Sequence, residues 1–280
     1  MSKQHLLALL LSLWLGTAWA GQGCNQTPIQ ASDLAHASRN ALRLYERLQA
    51  SPWQAVLLAR EGSDLSPYGL HYSHVGVALR DSPKGPWTVF HLLNECGTAH
   101  SSLYDEGLTN FYLDDLQSDD TLILIPDPAL QEAMVRQAST PQPAKLHEPN
   151  YNMIARPGSP QFQNSNQWVL EWLASLDGDS PALSREAART RPLYLAFTPD
   201  VIEIDRLTRL GAGLFKANVD FHDHPFADRV AGRYQVVSVR SVARALLASR
   251  RLAGLLEYRQ GRWQALKQQA SEQQAAVAGL

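Results

Sequence analysis

The apolar and polar positions of this chain follow two periods. Residues 32–50 (SDLAHASRNALRLYERLQA) repeat Leu34, Ala41, Leu42, Tyr45 and Leu48 at helical spacing, which predicts an amphipathic helix. The run Trp53–Arg60 (WQAVLLAR) is short and apolar, as a buried strand requires. Residues 72–80 and 87–93 alternate with period two around a loop holding Pro83, Gly85 and Pro86, so they predict a hairpin. TLILIP (121–126) predicts a further strand, and a proline-rich connection runs from Pro126 through Pro143 to Pro160 with a short helix near 128–138. A helix starts near Ser165, runs to about Leu176 and stops at DGD. PLYLAF (192–197) and YQVVSVR (234–240) read as strands, and SVARALLASRRLAGLLEYR reads as an amphipathic helix with a solvated arginine face. Strands gather in the middle with helices before and after, which predicts an α+β domain built on an antiparallel sheet.

Composition adds a compartment to this picture. The stretch MSKQHLLALLLSLWLGTAWAG combines Lys3, an apolar run from Leu6 to Leu15 and Ala18-Trp19-Ala20 before Gly21. That is the layout of a signal peptide over residues 1–20, and its apolar run is too short to span a bilayer. The expectation is a periplasmic or secreted protein: one domain over residues 21–262 with extensions, and a polar Gln- and Ala-rich tail from 263 to 280 that need not order. The net charge of −2 offers no basic field for nucleic acid. Cys24 and Cys96 are the two cysteines, an even number in an oxidising compartment, which favours a disulfide between them.

The hairpin carries candidate chemistry. Alternation puts His74, Gly76 and Ala78 on one face of YSHVGVALR, and Trp87, Val89, His91 and Leu93 on one face of WTVFHLL. With a loop from Asp81 to Pro86, Arg80 pairs with Trp87 and Gly76 lies opposite His91. His74 and His91 then share a face as diagonal neighbours, with Gly76 leaving room between them. One imidazole acting as base and a second polar group orienting it is a general arrangement for activating a nucleophile; a lone histidine pair is more often structural.

The helix in QNSNQWVLEWL begins with Asn164 followed three residues later by Gln167, the pattern of a capping box, so Asn164 is the expected N-cap and Ser165 the first helical residue. Trp168, Val169, Trp172 and Leu173 give it a face to bury. Ser165 meets the positive end of the helix dipole there, but a hydroxyl needs a base in contact before it becomes a nucleophile. On the residues alone, Ser165 is either that nucleophile or part of a polar cap.

Taken together and in order, HVGVAL, VFHLL and NSNQWVLEWL resemble the circularly permuted branch of the NlpC-type, papain-like superfamily, which includes the lecithin retinol acyltransferase-like proteins. The resemblance covers residues 53–176. It implies a papain-like antiparallel sheet packed against helices, with His74 as base, His91 as the second polar residue and Ser165 where the family carries cysteine. The tract EPNYNMIARPGSPQFQNSNQW further resembles a secreted bacterial family of unknown function. Two functions follow. One is a non-catalytic module whose former site, with Asn164, Asn166, Gln167 and Tyr151 as binding residues, holds a peptide, glycan or lipid. The other is a hydrolase or acyltransferase for amide or ester bonds, of cell-wall peptides among others, using Ser165, His74 and His91. No cofactor is implied. A third reading, metal binding through His71 and His74 or through His222 and His224, rests on ligand types without a compact spacing.

Overall fold

A computed structural model describes residues 28–113, 116–266 and 270–280. The expected leader and Cys24 lie outside the described residues. In chain order the main elements are α1 (Ala31–Gln49), β1 (Ala55–Arg60), β2 (His74–Leu79), β3 (Thr88–Asn94), β4 (Ser101–Glu106), α2 (Leu108–Leu113), β5 (Thr121–Pro126), α3 (Pro128–Ala138), α4 (Ser165–Ser175), β6 (Asp200–Glu203), α5 (Arg206–Phe215), β7 (Arg233–Val236), α6 (Val239–Ala248), β8 (Leu252–Arg259), β9 (Arg262–Leu266) and α7 (Ala270–Ala278). Seven strands form one sheet in the order β4-β3-β2-β1-β5-β8-β9, and β6 and β7 form a separate pair. Every ladder is antiparallel. The protein is α+β.

Strand parity divides the interior. Ala55, Leu57 and Ala59 of β1, with Val75, Val77 and Leu79 of β2, pack on one face against Trp168, Val169, Trp172 and Leu173 of α4. Val56, Leu58 and Ala78 turn to the other face, against Leu44 and Leu48 of α1 and Phe111 of α2. Because β1 and β2 are covered on both sides, they read as apolar runs. The β2–β3 register matches the one the alternation predicts: Val77 lies opposite Phe90 and Leu79 opposite Thr88, which continues to Gly76 opposite His91.

Several elements differ from the sequence expectation. The buried stripe of α1 is Ala37, Asn40, Ala41, Leu44 and Leu48, while Leu34, Leu42 and Tyr45 face solvent. Docking selected the stripe with more small residues. PLYLAF is not a strand: Pro192 starts a one-turn helix (Pro192–Leu195) after an extended Arg191, where its fixed φ and missing N–H suit the first helical position. Only the start of YQVVSVR is strand, because Ser238 accepts from Ser241 N–H and caps α6. The single helix expected over 241–259 is α6, a turn through Arg250 at φ 62°, and then β8. The polar tail is also structured in part: β9 pairs with β8, and Val277 and Leu280 are buried.

Gly76 is a packing requirement. A Cβ added there would fall 2.7 Å from Val89 Cγ1 and 3.1 Å from His91 Cβ. Gly76→Ala is therefore expected to destabilise by about 1–3 kcal/mol through overpacking, read as a lower urea midpoint at unchanged slope. An unchanged midpoint would mean that the two strands separate easily at this point.

Candidate functional site

The N-terminus of α4 is fixed by a cap and by burial. Asn164 is extended, and its Oδ1 accepts from Gln167 N–H at 2.8 Å, so Ser165 is the first helical residue as expected. The reciprocal half of a capping box is absent: the Gln167 amide donates instead to Glu171 Oε1 at 3.3 Å. All eleven residues of α4 are buried, including Glu171, which is fully enclosed. Arg185 Nε meets Glu171 Oε2 at 2.8 Å and Arg189 Nη2 meets Oε1 at 2.7 Å. A charge this deep persists only when paired and hydrogen-bonded, and here both oxygens are occupied. Asn166 joins the helix start to β2: its Oδ1 accepts from Val75 N–H at 3.2 Å and its amide donates to Ser73 O at 3.2 Å.

The two hairpin histidines meet as predicted. His74 Nε2 and His91 Nδ1 are 2.9 Å apart, with both rings buried. His91 Nε2 faces Glu106 Oε2 at 3.7 Å. A carboxylate on that side favours the His91 tautomer with its proton on Nε2, so Nδ1 accepts and the Nε2–H of His74 donates. Nδ1 of His74 is then the basic atom, and it takes no hydrogen bond among the described residues. Burial, aided by the charge of Arg60, holds the His74 pKa well below the ordinary histidine range, so the ring is neutral at pH 7.

The pair does not face α4. His74 and His91 share the sheet face of Ala78 and pack on Phe111 of α2, with ring centroids 6.1 and 5.7 Å away. Ser165 starts the helix that covers the opposite face. Among the described residues no hydrogen bond joins Ser165 to either histidine; its Oγ lies 3.5 Å from the Tyr151 hydroxyl. Burial raises the Tyr151 pKa, so that hydroxyl stays un-ionised and able to donate. His74, Tyr151, Asn164, Ser165 and Asn166 nonetheless line one cavity of about 600 Å³ at the end of the sheet, whereas Gln167 is fully buried and does not reach it.

The remaining predicted residues disperse. His71 pairs with Asp120 at 2.9 Å and lies 3.8 Å from Glu61, away from the His74–His91 pair. His222 and His224 do not share a strand face: the segment Phe221–Asp223 is a 3-10 turn, His222 is exposed, and the buried His224 donates Nε2–H to Ile154 O at 2.7 Å. Among the described residues no group of three or more ligand side chains includes His74, His222 or His224, whereas His71, Glu61 and Asp120 each place a ligand atom within 4.8 Å of the others. Cys96 lines the cavity, and no described cysteine is free. Glu106 and Phe111 escaped the sequence reading because SSLYDE (101–106) is too polar to announce strand β4, and nothing local ties either residue to His91. The Glu171 pairing was equally hidden, since its partners lie 14 and 18 positions downstream.

Fold and site together define an α+β protein with a seven-stranded antiparallel sheet and a cavity at the N-terminus of a buried helix. The chain belongs to the family described as uncharacterized protein conserved in bacteria (DUF2145), whose model matches residues 47–246. No curated protein and no solved structure matches it.

The depressed His74 pKa has a measurable consequence. An unfolded His74 takes a proton near its ordinary value of 6.5, and the folded ring resists it. Its contribution is therefore intact above that pH and lost as pH falls, by at most about 1.4 kcal/mol per pH unit. Burial shifts His147 in the same direction, so wild type must be compared with His74→Gln. Urea titrations between pH 7.5 and 5 should show a smaller loss for His74→Gln; equal losses would place a protonated His74 in the folded state.

Proposed function

We propose that this chain is an exported ligand-binding module on a papain-like, permuted NlpC-type fold, in which the position of the nucleophile is held by a serine that does not acylate. The observation that carries this reading is the absence of a Ser165–His74 hydrogen bond, with the imidazole pair and α4 on opposite sheet faces. The hydroxyl needs a base in contact, and the helix dipole alone leaves it protonated. What remains is a cavity of a size suited to small molecules, with hydroxyl, amide and imidazole groups at one end. No helix among the described residues is long and apolar enough to cross a membrane, which agrees with a module that acts away from the bilayer core. A second reading, amide or ester hydrolysis or acyl transfer with Ser165, His74 and His91, is favoured by the His74–His91 contact and by the cavity shared between His74 and Ser165. Catalytic contacts are often long before substrate binds.

Two experiments test this assignment. Wild type should resist serine-directed fluorophosphonate probes, while rapid labelling at Ser165 that His74→Ala abolishes would establish the hydrolase. Ser165→Cys should alkylate with iodoacetamide at pH 6, because a helix N-terminus draws a thiol pKa from about 8.5 toward about 3.5–7.5; an inert thiol would reduce Ser165 to a helix cap.

A Cys24–Cys96 disulfide belongs to the same proposal of export. Thiol titration of denatured, unreduced protein should then find no free thiol, and two would refute the bridge.

A further inference from the structure

We infer that the ligand of this cavity is a hydrocarbon chain ending in a carboxyl or carboxyl-ester head. The inference rests on the ligand-binding reading above and names its chemical class.

The cavity has two unlike ends. Around Ser165 it is polar: the Tyr151 hydroxyl, the Ser165 hydroxyl and the amide of Asn166 converge at the start of α4. The N–H of Asn166 is in the first helical turn and takes no partner among the described residues, so it is available to an oxygen ligand. An eleven-residue helix directs its positive end there, and a buried, un-ionised tyrosine adds a donor. Among the described residues that line the cavity, none is a carboxylate, and Lys216 sits at the end of α5. The donors at the start of α4 suit a strongly accepting oxygen.

The other end is a hydrocarbon wall. Leu70, Ile154, Ile202, Ile204 and Val236 come from the cluster under the β6–β7 pair, and Val219 and Phe221 extend it. A peptide laid along this wall would bury amides without partners, and a glycan would bury hydroxyls the same way. A methylene chain loses nothing there and gains by leaving water. The helix α5 covers this end with Thr208, Gly211 and Ala212, while Leu207 and Leu210 are 81 % and 62 % exposed. A helix turning small residues inward and leucines outward leaves width beneath it. The space is open at Gly211, where an added Cβ meets nothing within 4 Å.

Calorimetric titration of the full chain with octanoate, decanoate and laurate below their micellar concentrations tests the class. Affinity should rise about tenfold for each two methylenes. Gly211→Trp, which fills the open space from α5, should weaken laurate at least tenfold at unchanged melting temperature. Laurate should also slow iodoacetamide at Ser165→Cys. The monoglyceride of lauric acid separates head groups: tighter binding than laurate assigns an ester, weaker binding a free acid. Affinity independent of chain length, or laurate binding untouched by Gly211→Trp, would overturn the inference. If chitotetraose or a tetra-alanine peptide protects Ser165→Cys and laurate does not, the ligand site stands and the hydrocarbon class falls. If laurate binds with the expected chain-length dependence but the Ser165→Cys thiol is inert, the class stands and the reading of the Ser165 end falls.

Discussion

The two-residue repeat of β1 and β2 is the constraint on which the rest depends. Odd residues of these strands are committed to α4 and even residues to α1 and α2, with both faces closed. A one-residue slip would exchange every side chain between two differently shaped layers, so the register is fixed by packing as well as by backbone pairing. His74 and His91 inherit their surroundings from this rule. They meet because Gly76 stands opposite His91, and they lie against Phe111 because they are on the even face of β2. Ser165 inherits the other side through α4.

The buried charge of α4 is admitted to this interior with its partners complete. Glu171 sits in the middle of a helix buried all round and is held by two arginines and by the side chains of Gln163 and Gln167. Removing it would strand two guanidinium groups, the costly half of a buried ion pair. The network also anchors the loop before α4 to the helix itself, since Arg185 donates to Phe162 O and Arg189 to Gly158 O. The placement of the α4 N-terminus is thus decided by residues remote from the cavity. Other buried groups are less complete: Trp172 Nε1, Gln167 Oε1 and His91 Nε2 have no hydrogen bond, and Glu106 at 3.7 Å orients the His91 ring.

Chemistry at Ser165 requires a base in contact, and among the described residues no hydrogen bond joins its hydroxyl to either histidine. A fold alone does not carry an activity. The cavity, in contrast, needs no such contact. It is lined both by the start of α4 and by apolar residues of the cluster at the β6–β7 pair.

The sequence by itself determined the local elements whose signals are short-ranged: the strand TLILIP stopped by its proline, the hairpin register, the Asn164 cap and the shared face of His74 and His91. Each follows from alternation, a turn or a cap within a few residues. The sequence read PLYLAF and the 241–259 segment wrongly, since a one-turn helix after Pro192 and a left-handed residue at Arg250 override apolar periodicity. Only the tertiary structure decided which stripe of α1 is buried, that Glu106 stands behind His91, and that β6, β7 and α5 close a cavity over Ser165. It also decided that the imidazoles and the serine occupy different faces, because face is a property of the assembled sheet. Parity along one strand names two sides, and only the docking of α4 says which side the helix takes.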